Sequence, residues 1–288
     1  EGSQLDFDAA GDGQLEFSSG RSRFTLACLP TEEFPVMSGG ELPHEFKLTT
    51  AELRGLIDRT RFAISTEETR YYLNGIYLHA IKRDDTSLLR AVATDGHRLA
   101  SVDTPLPAAA AIPGVIVPRK AVTELRKQID ESSNEVTIGL SETKIQFSFD
   151  DVVLTSKLID GTFPDYQRVI PEGNDKKMEI NAKVFADAVD RVSAISSEKS
   201  RAVKLNLTND NLTLSASSPD DGNATEEVEA SYQGEELEIG FNAAYLLDIT
   251  RQIEGSNARL LLADAASPTI LSEVNDASTL YVLMPMRV

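Results

Sequence analysis

Several residue types and patterns are scarce or absent in this 288-residue chain. It has no tryptophan and a single cysteine, Cys28, which excludes a disulfide framework within the chain. No apolar run approaches the roughly 20 residues that a membrane-spanning helix needs, and no segment resembles the apolar core of a signal peptide. These absences indicate a cytoplasmic globular protein. Residue 1 is Glu rather than Met, so we expect the natural amino terminus to lie outside this sequence.

Candidate catalytic and metal-binding residues are also scarce. Neither His44 nor His79 lies in a cluster with metal-ligand spacing, so no metal or other cofactor is predicted. The segment 94–98 combines a hydroxyl, an acid and His97, but a catalytic triad has to converge in space, which neighbours on one turn rarely do. Asp-Gly is instead a strong hairpin signal, because Gly96 adopts positive φ at little cost. We predict a hairpin here and no enzymatic activity.

The chain contains an internal repeat of about 130 residues. A strand, a helix and an Ile-Ser-x-Glu-x-x-Arg loop at 46–70 return at 178–201, and a second strand and helix at 115–129 return at 237–253. The Leu and Phe-Pro pattern of 29–35 returns at 158–164. The order predicts a truncated first copy at 1–42 and complete copies at 43–172 and 173–288. Short alternating strands with two helices per copy favour an α+β fold, with antiparallel sheets outside and the helices on the inner face.

Local patterns refine this prediction. Short strands are expected at 4–7, 14–17 and 23–28, with a hairpin turn at 11–13 and a Gly-rich connection at 38–40. Further strands are expected to begin at Tyr71, after the loop 64–70. The four repeat helices are predicted at 50–64, 118–130, 182–195 and 242–253.

The charge of the chain is unevenly distributed. The net charge of −18 argues by itself against nucleic acid, because phosphates are neutralised by Lys and Arg. However, the four predicted helices hold 10 of the 28 Lys and Arg and 7 of the 46 Asp and Glu, a net charge of +3 against −21 elsewhere. Equivalent helices in tandem copies line up on one side, so their polar faces are expected to form a mildly basic surface. The alternative is that each is an ordinary solvated helix face.

The carboxyl-terminal residues 279–288 are unusually apolar for a chain end. They contain two of the four methionines, and Pro285 cannot pair in the interior of a sheet. Terminal residues are usually small or polar, because free ends fray. We interpret this segment as a last strand that leaves its sheet to form one wall of a groove.

Six motifs in order resemble one protein family, the bacterial DNA polymerase sliding clamps, which are the beta subunits of the replicase. The motifs are RYYLNG at 70–75, ATDGHRLA at 93–100, VPRK at 117–120, TSKL with FPDY at 155–166, GFN at 240–242, and MPMR at 284–287. They extend over the chain from about residue 20 to the end, so the resemblance is far more specific than a single short motif.

The resemblance implies a fold, an activity and partners. It implies three clamp domains per subunit, with residues 1–42 as the end of the first, and a head-to-tail homodimer that closes a ring around duplex DNA. Twelve helices would line the hole and the sheets would form the outer layer. The activity implied is a non-catalytic processivity factor without cofactor or membrane association. Polymerase, clamp loader and repair proteins would bind through short linear peptides.

The family's peptide groove can be transferred residue by residue. The positions come from the second copy, from the segment that ends it, and from the third copy. They are Leu73, Thr94, Gly96, His97, Arg98 and Leu99; Pro164, Arg168 and Val169; and Asn242, Tyr245, Val282, Met284, Pro285, Met286 and Arg287. Such a set suits a peptide with one or two large apolar side chains, and the arginines could hold its acids or carbonyls. The alternative is that each residue is simply core.

The family's DNA contacts are sequence-independent and made mostly to phosphates from the helix-lined face. The resemblance points first to Arg119 and Lys120. Further candidates are Arg54, Arg61, Arg126, Lys127, Lys183 and Arg251, with Tyr71 and Tyr72 at the loop edge. For the two tyrosines, strand packing is the alternative. Weak positive charge suits sliding, because tight phosphate contacts depend strongly on salt and would slow translocation.

Two alternatives remain at this point. One is a hydrolase centred on His97, which predicts a turnover lost on His97→Ala. The other is a stand-alone peptide-binding module with no role on DNA. A full-length ring loaded on a nicked plasmid should be released when the plasmid is linearised; retention after linearisation would count against sliding.

Overall fold

The computed structural model describes residues 4–11, 13–34, 40–107, 112–129, 135–196 and 201–287. The chain divides into two compact units, Glu1–Glu41 and Leu42–Val288. Several predicted features lie outside the described residues: Asp12 of the first hairpin, most of the Gly-rich connection, position 130 of the second helix, and 197–200 of the repeated loop. No helix in the described ranges is both long and apolar enough to cross a membrane.

The first unit is a three-stranded antiparallel sheet. Its strands are β1 (Asp6–Gly11), β2 (Gln14–Ser19) and β3 (Ser22–Ala27), paired in that order. Rings of Phe7, Phe17 and Phe24 stack across the three strands, with centroids 5.9 and 4.7 Å apart. Such cross-strand aromatic pairs fix the register. The predicted hairpins are confirmed, although β1 begins and ends later than 4–7.

The second unit begins with one complete copy of the repeat. Its elements are β4 (His44–Thr49), α1 (Thr50–Asp58), β5 (Gly75–Arg83), β6 (Thr86–Thr94), β7 (Arg98–Pro105), β8 (Val115–Pro118), α2 (Arg119–Gln128), β9 (Glu135–Leu140), β10 (Lys144–Phe149) and β11 (Val152–Lys157). Short 3-10 helices lie between α1 and β5, at Arg61–Ala63 and Glu68–Leu73, and after β11, at Tyr166–Val169.

The next copy repeats this order of strands and helices, with one additional short strand between its two helices. Its elements are β12 (Lys176–Asn181), α3 (Ala182–Ser193), β13 (Ala202–Thr208), β14 (Asn211–Ser218), β15 (Gly222–Glu229), β16 (Ser231–Tyr232), β17 (Leu237–Asn242), α4 (Ala243–Thr250), β18 (Asn257–Leu262), β19 (Thr269–Glu273) and β20 (Thr279–Leu283). The predicted internal duplication is therefore visible in the element order.

One sheet runs through both copies. Each copy contributes a four-stranded sheet of its own, β11-β10-β9-β4 and β15-β14-β13-β17, and both share the nine-stranded sheet β16-β12-β18-β19-β20-β7-β6-β5-β8. The copies join where β20 pairs antiparallel with β7, from Thr279 opposite Val102 to Leu283 opposite Arg98. Every pairing in the described sheets is antiparallel, so the α+β prediction is confirmed.

The nine-stranded sheet has two different faces, because successive side chains of a strand alternate. Ala91, Ala93 and Ala100 point to the face covered by helices and belong to the main core. The opposite face carries a second buried cluster, formed by Leu73, Val92, Leu99, Ile116, Phe163, Tyr166 and Val282. Phe163 and Tyr166 reach this face from the segment that connects the two copies.

The four helices are confirmed, but each is shorter than predicted. Polar caps start three of them: Thr49 forms a capping box with Glu52, and the side chains of Asn181 and Asn242 accept hydrogen bonds from α3 and α4. The hydroxyl of Thr60 donates to the carbonyl of Leu56 at 2.5 Å. This side-chain bond competes with the backbone ladder, so α1 ends at Asp58 and a 3-10 turn takes over.

The prediction that strands begin at Tyr71 is wrong. Glu68–Leu73 forms a 3-10 helix and the strand starts at Gly75. Two local interactions favour the turn: the Ser65 hydroxyl accepts from the backbone of Glu67, and Glu67 pairs with Arg70 one turn later. The strand begins where Gly75 passes so close to the Val117 carbonyl that a Cβ would lie 2.2 Å from the oxygen.

Candidate peptide groove and helix face

The hairpin between β6 and β7 forms one side of the candidate groove. Gly96 has φ of +90°, as its position in the turn requires. The Asp95 carboxylate accepts from the backbone of His97 at 2.9 Å and of Arg98 at 3.0 Å. The Thr94 hydroxyl donates to the Arg98 carbonyl at 2.7 Å and accepts from Gly96 at 3.1 Å. Thr94 therefore closes the turn, and His97 is left exposed at its tip.

The carboxyl-terminal segment 284–287 forms the other side. The backbone of Met284 donates to the His97 carbonyl at 2.9 Å, and that of Met286 donates to the Gly240 carbonyl at 2.9 Å. The segment thus crosses from the hairpin of the second copy of the repeat to strand β17 of the third. Met284 is 41% exposed, an unusual fraction for a methionine anchored at its backbone. The predicted departure of the last strand from its sheet is confirmed.

The floor between these sides is the second buried cluster. Leu99 and Val282 lie opposite each other in the β7–β20 pair, and Leu73 packs with them. All three are at most 4% exposed. The predicted positions Pro164, Arg168 and Val169 are exposed at the rim, where Arg168 pairs with Asp165 at 2.8 Å. The structure therefore brings Leu73, Leu99 and Val282 together in this cluster, and the bond from Met284 to His97 holds the terminal segment beside it.

The side chain of Arg98 is held by contacts within the chain. It is only 10% exposed and bonds Asp95 at 3.1 Å and Asp248 of α4 at 2.6 Å. It also donates to the Phe62 carbonyl at 2.7 Å and stacks on the ring of Tyr245, 4.4 Å from its centroid. Its hydrogen-bonding capacity is used in joining the two copies, so the structure does not support the expectation that it holds a peptide's acids.

Asn242 and Tyr245 are half-buried at the start of α4. The Asn242 carbonyl oxygen caps the helix through bonds to Ala244 at 2.9 Å and Tyr245 at 3.4 Å. The Tyr245 ring stacks with His97, with centroids 6.1 Å apart. Asn242 therefore caps α4, and Tyr245 contacts the tip of the β6–β7 hairpin; their role in binding a peptide stays a prediction.

The sequence reasoning missed several residues of the site. Phe163 stacks on Tyr77 with centroids 4.8 Å apart, and Tyr166 bonds His79 at 3.0 Å, so this pair fixes the connecting segment over the floor. Arg70 lies against the hairpin, since a Cβ on Gly96 would meet its guanidinium at 2.6 Å. For Phe163, the recurrence of Phe-Pro at 34–35 and 163–164 was a sequence signal that could have marked it as part of the site. For Arg70, the sequence offered no signal other than its place in the RYYLNG motif.

His79 is half-buried beneath the connecting segment. It stacks on Tyr77, faces the Tyr166 hydroxyl, and lies near Arg90, which bonds the buried Asp103 at 2.6 Å. Burial, and to a lesser extent the charge of Arg90, lower the pKa of His79, while a backbone hydrogen bond at Ala80 and the charge of Asp103 oppose this shift. The fold therefore favours the neutral imidazole.

Acidification is expected to destabilise the fold through His79. The pKa of His79 is lower in the folded than in the unfolded chain, so the unfolded chain binds more protons once the pH drops to about 6.5. The free energy of unfolding therefore decreases as the pH decreases. Urea titrations of the wild type and of His79→Gln between about pH 5 and 7.5 measure this. We expect a shallower pH dependence in the variant; identical slopes would contradict it.

Most basic residues of the four helices are neutralised by acids. Arg126 pairs with Asp58 at 2.8 Å, and Arg59 pairs with Asp276 at 3.0 Å. Ion pairs also hold Arg61, Lys127, Lys183, Arg191 and Arg251. Within the described parts of the chain, the side chains of Arg54, Arg119 and Lys120 have no ion pair, and the last two are exposed at the start of α2.

The two tyrosines near this face differ. Tyr71 is 54% exposed, whereas Tyr72 is half-buried and packs against the second buried cluster. Their rings meet edge to face at 5.7 Å. Tyr71 is thus available for a ligand, and Tyr72 has a packing role.

The arrangement is that of a binding surface. The Thr94 hydroxyl is committed to the hairpin, and His97 stacks on Tyr245. Across the described ranges, no three His, Cys, Asp or Glu side chains converge as metal ligands would.

Comparisons with known proteins agree with this description. Residues 47–165 match the family model of the DNA polymerase III beta subunit, central domain, and residues 167–287 match that of its C-terminal domain. The beta sliding clamp of Caulobacter vibrioides (strain NA1000 / CB15N) is 50% identical over 290 residues, which cover 100% of this chain and 78% of that protein. The beta sliding clamp of Escherichia coli (strain K12) is 37% identical over 287 residues, with 100% and 77% covered.

Solved structures share the fold. The DnaN sliding clamp of Bartonella birtlesii bound to griselimycin superposes with a TM-score of 0.90 at 50% identity, over 100% of this chain and 77% of that one. The DNA polymerase sliding clamp of Caulobacter crescentus gives a TM-score of 0.90 at 49% identity, over 100% and 78%.

Proposed function

This chain belongs to the bacterial beta sliding clamp family, and we propose that its partners bind the groove between the two complete copies while the start of α2 faces DNA. It is a DNA sliding clamp, a non-catalytic processivity factor of DNA polymerase III. The hydrolase alternative is thereby excluded. A weakly held peptide raises the effective concentration of the polymerase at the DNA, which gives processivity without tight binding.

The observation that carries the groove is the exposed Met284 beside a buried apolar floor. Its backbone is fixed to the hairpin by the bond to His97, yet its thioether projects to solvent next to Leu99 and Val282. A large apolar side chain of a peptide could pack here against the Met284 thioether and the edge of the apolar floor. Met adapts its shape to different ligands, which suits a surface shared by several partners.

The DNA-facing role is proposed for Arg119 and Lys120. They are exposed, adjacent, and lack an acidic partner among the described residues, in contrast to the paired Arg126 and Lys127. Two cations at the start of a single helix supply few phosphate contacts. Few contacts give weak, sequence-independent binding that permits sliding.

The remaining sequence predictions stay proposals. We propose domain boundaries at 1–42, 43–172 and 173–288, supported by the repeated element order, and a head-to-tail homodimeric ring for the full-length protein. The cytoplasm is proposed as its location, because its polymerase partner acts on DNA there.

Reversing the charge at both DNA-facing positions is expected to weaken DNA binding and spare peptide binding. In Arg119→Glu/Lys120→Glu, affinity for duplex DNA should fall about tenfold or more, and the slope of log affinity against log salt should drop by about 2. Fluorescence anisotropy with labelled DNA, and separately with a labelled Leu- and Phe-bearing peptide, measures both affinities.

A control variant carries the same charge change away from the helices, Lys157→Glu/Lys177→Glu on exposed strand positions. It should leave the salt slope unchanged. Equal loss of DNA and peptide affinity in the helix variant would contradict separate sites, and unchanged DNA affinity would favour a peptide-binding module with no role on DNA.

A further inference from the structure

A second cavity adjoins the groove on the outer face of the four-stranded sheet β15-β14-β13-β17. Its volume is about 470 Å³, and its lining includes Lys204, Ser215, Ser217, Asn223, Thr225 and Arg287. These six residues are called the cationic shelf. Small side chains, Ala202 and Ala224 among them, form its base.

The register of the strands aligns the shelf with the groove wall. Met286 lies opposite Gly240, Gly240 opposite Lys204, Lys204 opposite Ser215, and Ser215 opposite Thr225. Residues directly opposite in antiparallel strands point to the same face. A ligand leaving the groove past Met286 therefore meets Arg287 first and then the Lys204 row.

The shelf differs in charge from the rest of this acidic chain. Its lining contains two cations, hydroxyls and one amide, and no carboxylate. Lys204 pairs with Glu238 at 3.0 Å with a side chain that is 34% exposed, so a single acid partly offsets it. The Arg287 side chain is exposed and has no ion pair among the described residues. Glu227 follows Thr225 by two positions on β15, about 7 Å further along the strand.

We propose that the cationic shelf binds the carboxylates of acidic residues that flank the apolar motif of a groove-bound peptide. The inference rests on the proposed function of the groove and extends it. Two cations beside serine and threonine hydroxyls provide charge and hydrogen-bond donors for a carboxylate. The net charge of the whole protein, −18, disfavours acidic peptides on most of its surface, so the shelf also helps to fix the direction in which such a peptide lies.

The expected contribution is modest and depends on salt. Exposed ion pairs contribute little each, so an acidic tail should raise affinity about two- to fivefold near 50 mM salt. The gain should vanish near 1 M salt, where charges are screened beyond about 3 Å. Apolar binding of the motif itself should persist there.

The test compares one labelled core peptide, bearing Leu and Phe, with versions extended by Asp-Asp, Ser-Ser or Lys-Lys at either end. Fluorescence anisotropy against wild type, Lys204→Gln and Lys204→Glu gives the affinities. We expect Asp-Asp at one end to raise the affinity of the wild type, Lys204→Gln to remove that gain, and Lys204→Glu to favour Lys-Lys instead. The unextended core peptide should bind all three proteins equally.

Lys177→Gln is the matched control, since Lys177 is also a strand lysine with one glutamate partner, Glu179 at 3.2 Å. It should keep the full gain from Asp-Asp. A core peptide that binds while Asp-Asp gives no gain at either end, or a gain that survives Lys204→Gln, overturns the shelf alone. A core peptide that does not bind the wild type overturns the groove and the shelf together.

Discussion

Removing residues 284–288 is expected to lower the affinity for a short Leu- and Phe-bearing peptide at least about 100-fold. The deletion removes Met284, Pro285 and Met286, which form the proposed wall of the groove. Each large apolar side chain of the peptide that packs against such a wall contributes about 2 kcal/mol or more to binding. The loss of two anchors therefore exceeds the roughly 2.7 kcal/mol that corresponds to a factor of 100. Anisotropy titration of the truncated chain measures it.

The same truncation should leave the melting temperature nearly unchanged. Residues 284–287 contribute two backbone hydrogen bonds, to His97 and Gly240, and their side chains are exposed or half-buried, whereas Leu283 stays in place in β20. A peptide with Ala in place of Leu and Phe should bind neither form. Full affinity in the truncated chain would show that peptides bind elsewhere; a large fall in melting temperature would show instead that the segment supports the fold.

Arg98→Ala is expected to lower the free energy of unfolding by about 2–3 kcal/mol, less than the roughly 3–5 kcal/mol for a fully buried ion pair, because Arg98, Asp95 and Asp248 are only partly buried. The substitution leaves Asp95 and Asp248 without their shared partner, removes the donor to the Phe62 carbonyl, and uncovers the Tyr245 ring. If Arg98 were instead an exposed side chain that only contacts a bound peptide, the same substitution would have a small effect on stability. Urea denaturation monitored by circular dichroism distinguishes the two.

Arg168→Ala is the matched control, because Arg168 was predicted for the same groove but is 84% exposed and pairs only with its neighbour Asp165. It should cost less than about 1 kcal/mol. If Arg98→Ala were no more destabilising than Arg168→Ala, the joining role of Arg98 would be wrong.

The sequence was informative about elements and repeats because those depend on local signals. Alternating apolar residues, the Asp-Gly turn at 95–96 and the periodicity of the four repeat helices are set within a few residues, and the structure has these elements where predicted, with shorter helices. The 3-10 helix at Glu68–Leu73 was missed because tyrosines are common in strands, while the Glu67–Arg70 pair that favours the turn has no strong pattern.

The candidate site was harder, because it depends on distant contacts. Arg98 and Asp248 are 150 residues apart in sequence, and nothing local to either shows that they meet. The β7–β20 pairing likewise joins strands about 180 residues apart and determines which of Leu99 and Val282 are floor rather than ordinary core. Residues of the family's groove could be transferred by motif, but their division into floor, wall, rim and joint came only from the fold.

The position of β20 has a mechanical consequence. The segment 284–287 continues directly from β20. If a partner bound to this segment moves along DNA, the force on the segment acts lengthwise on β20. β20 is bonded on one side to β19 and on the other to β7. Because these bonds lie perpendicular to the strand, a lengthwise load shears all of them at once and does not peel them open one by one. The proposed attachment segment for partners therefore continues a strand that such a load shears rather than peels.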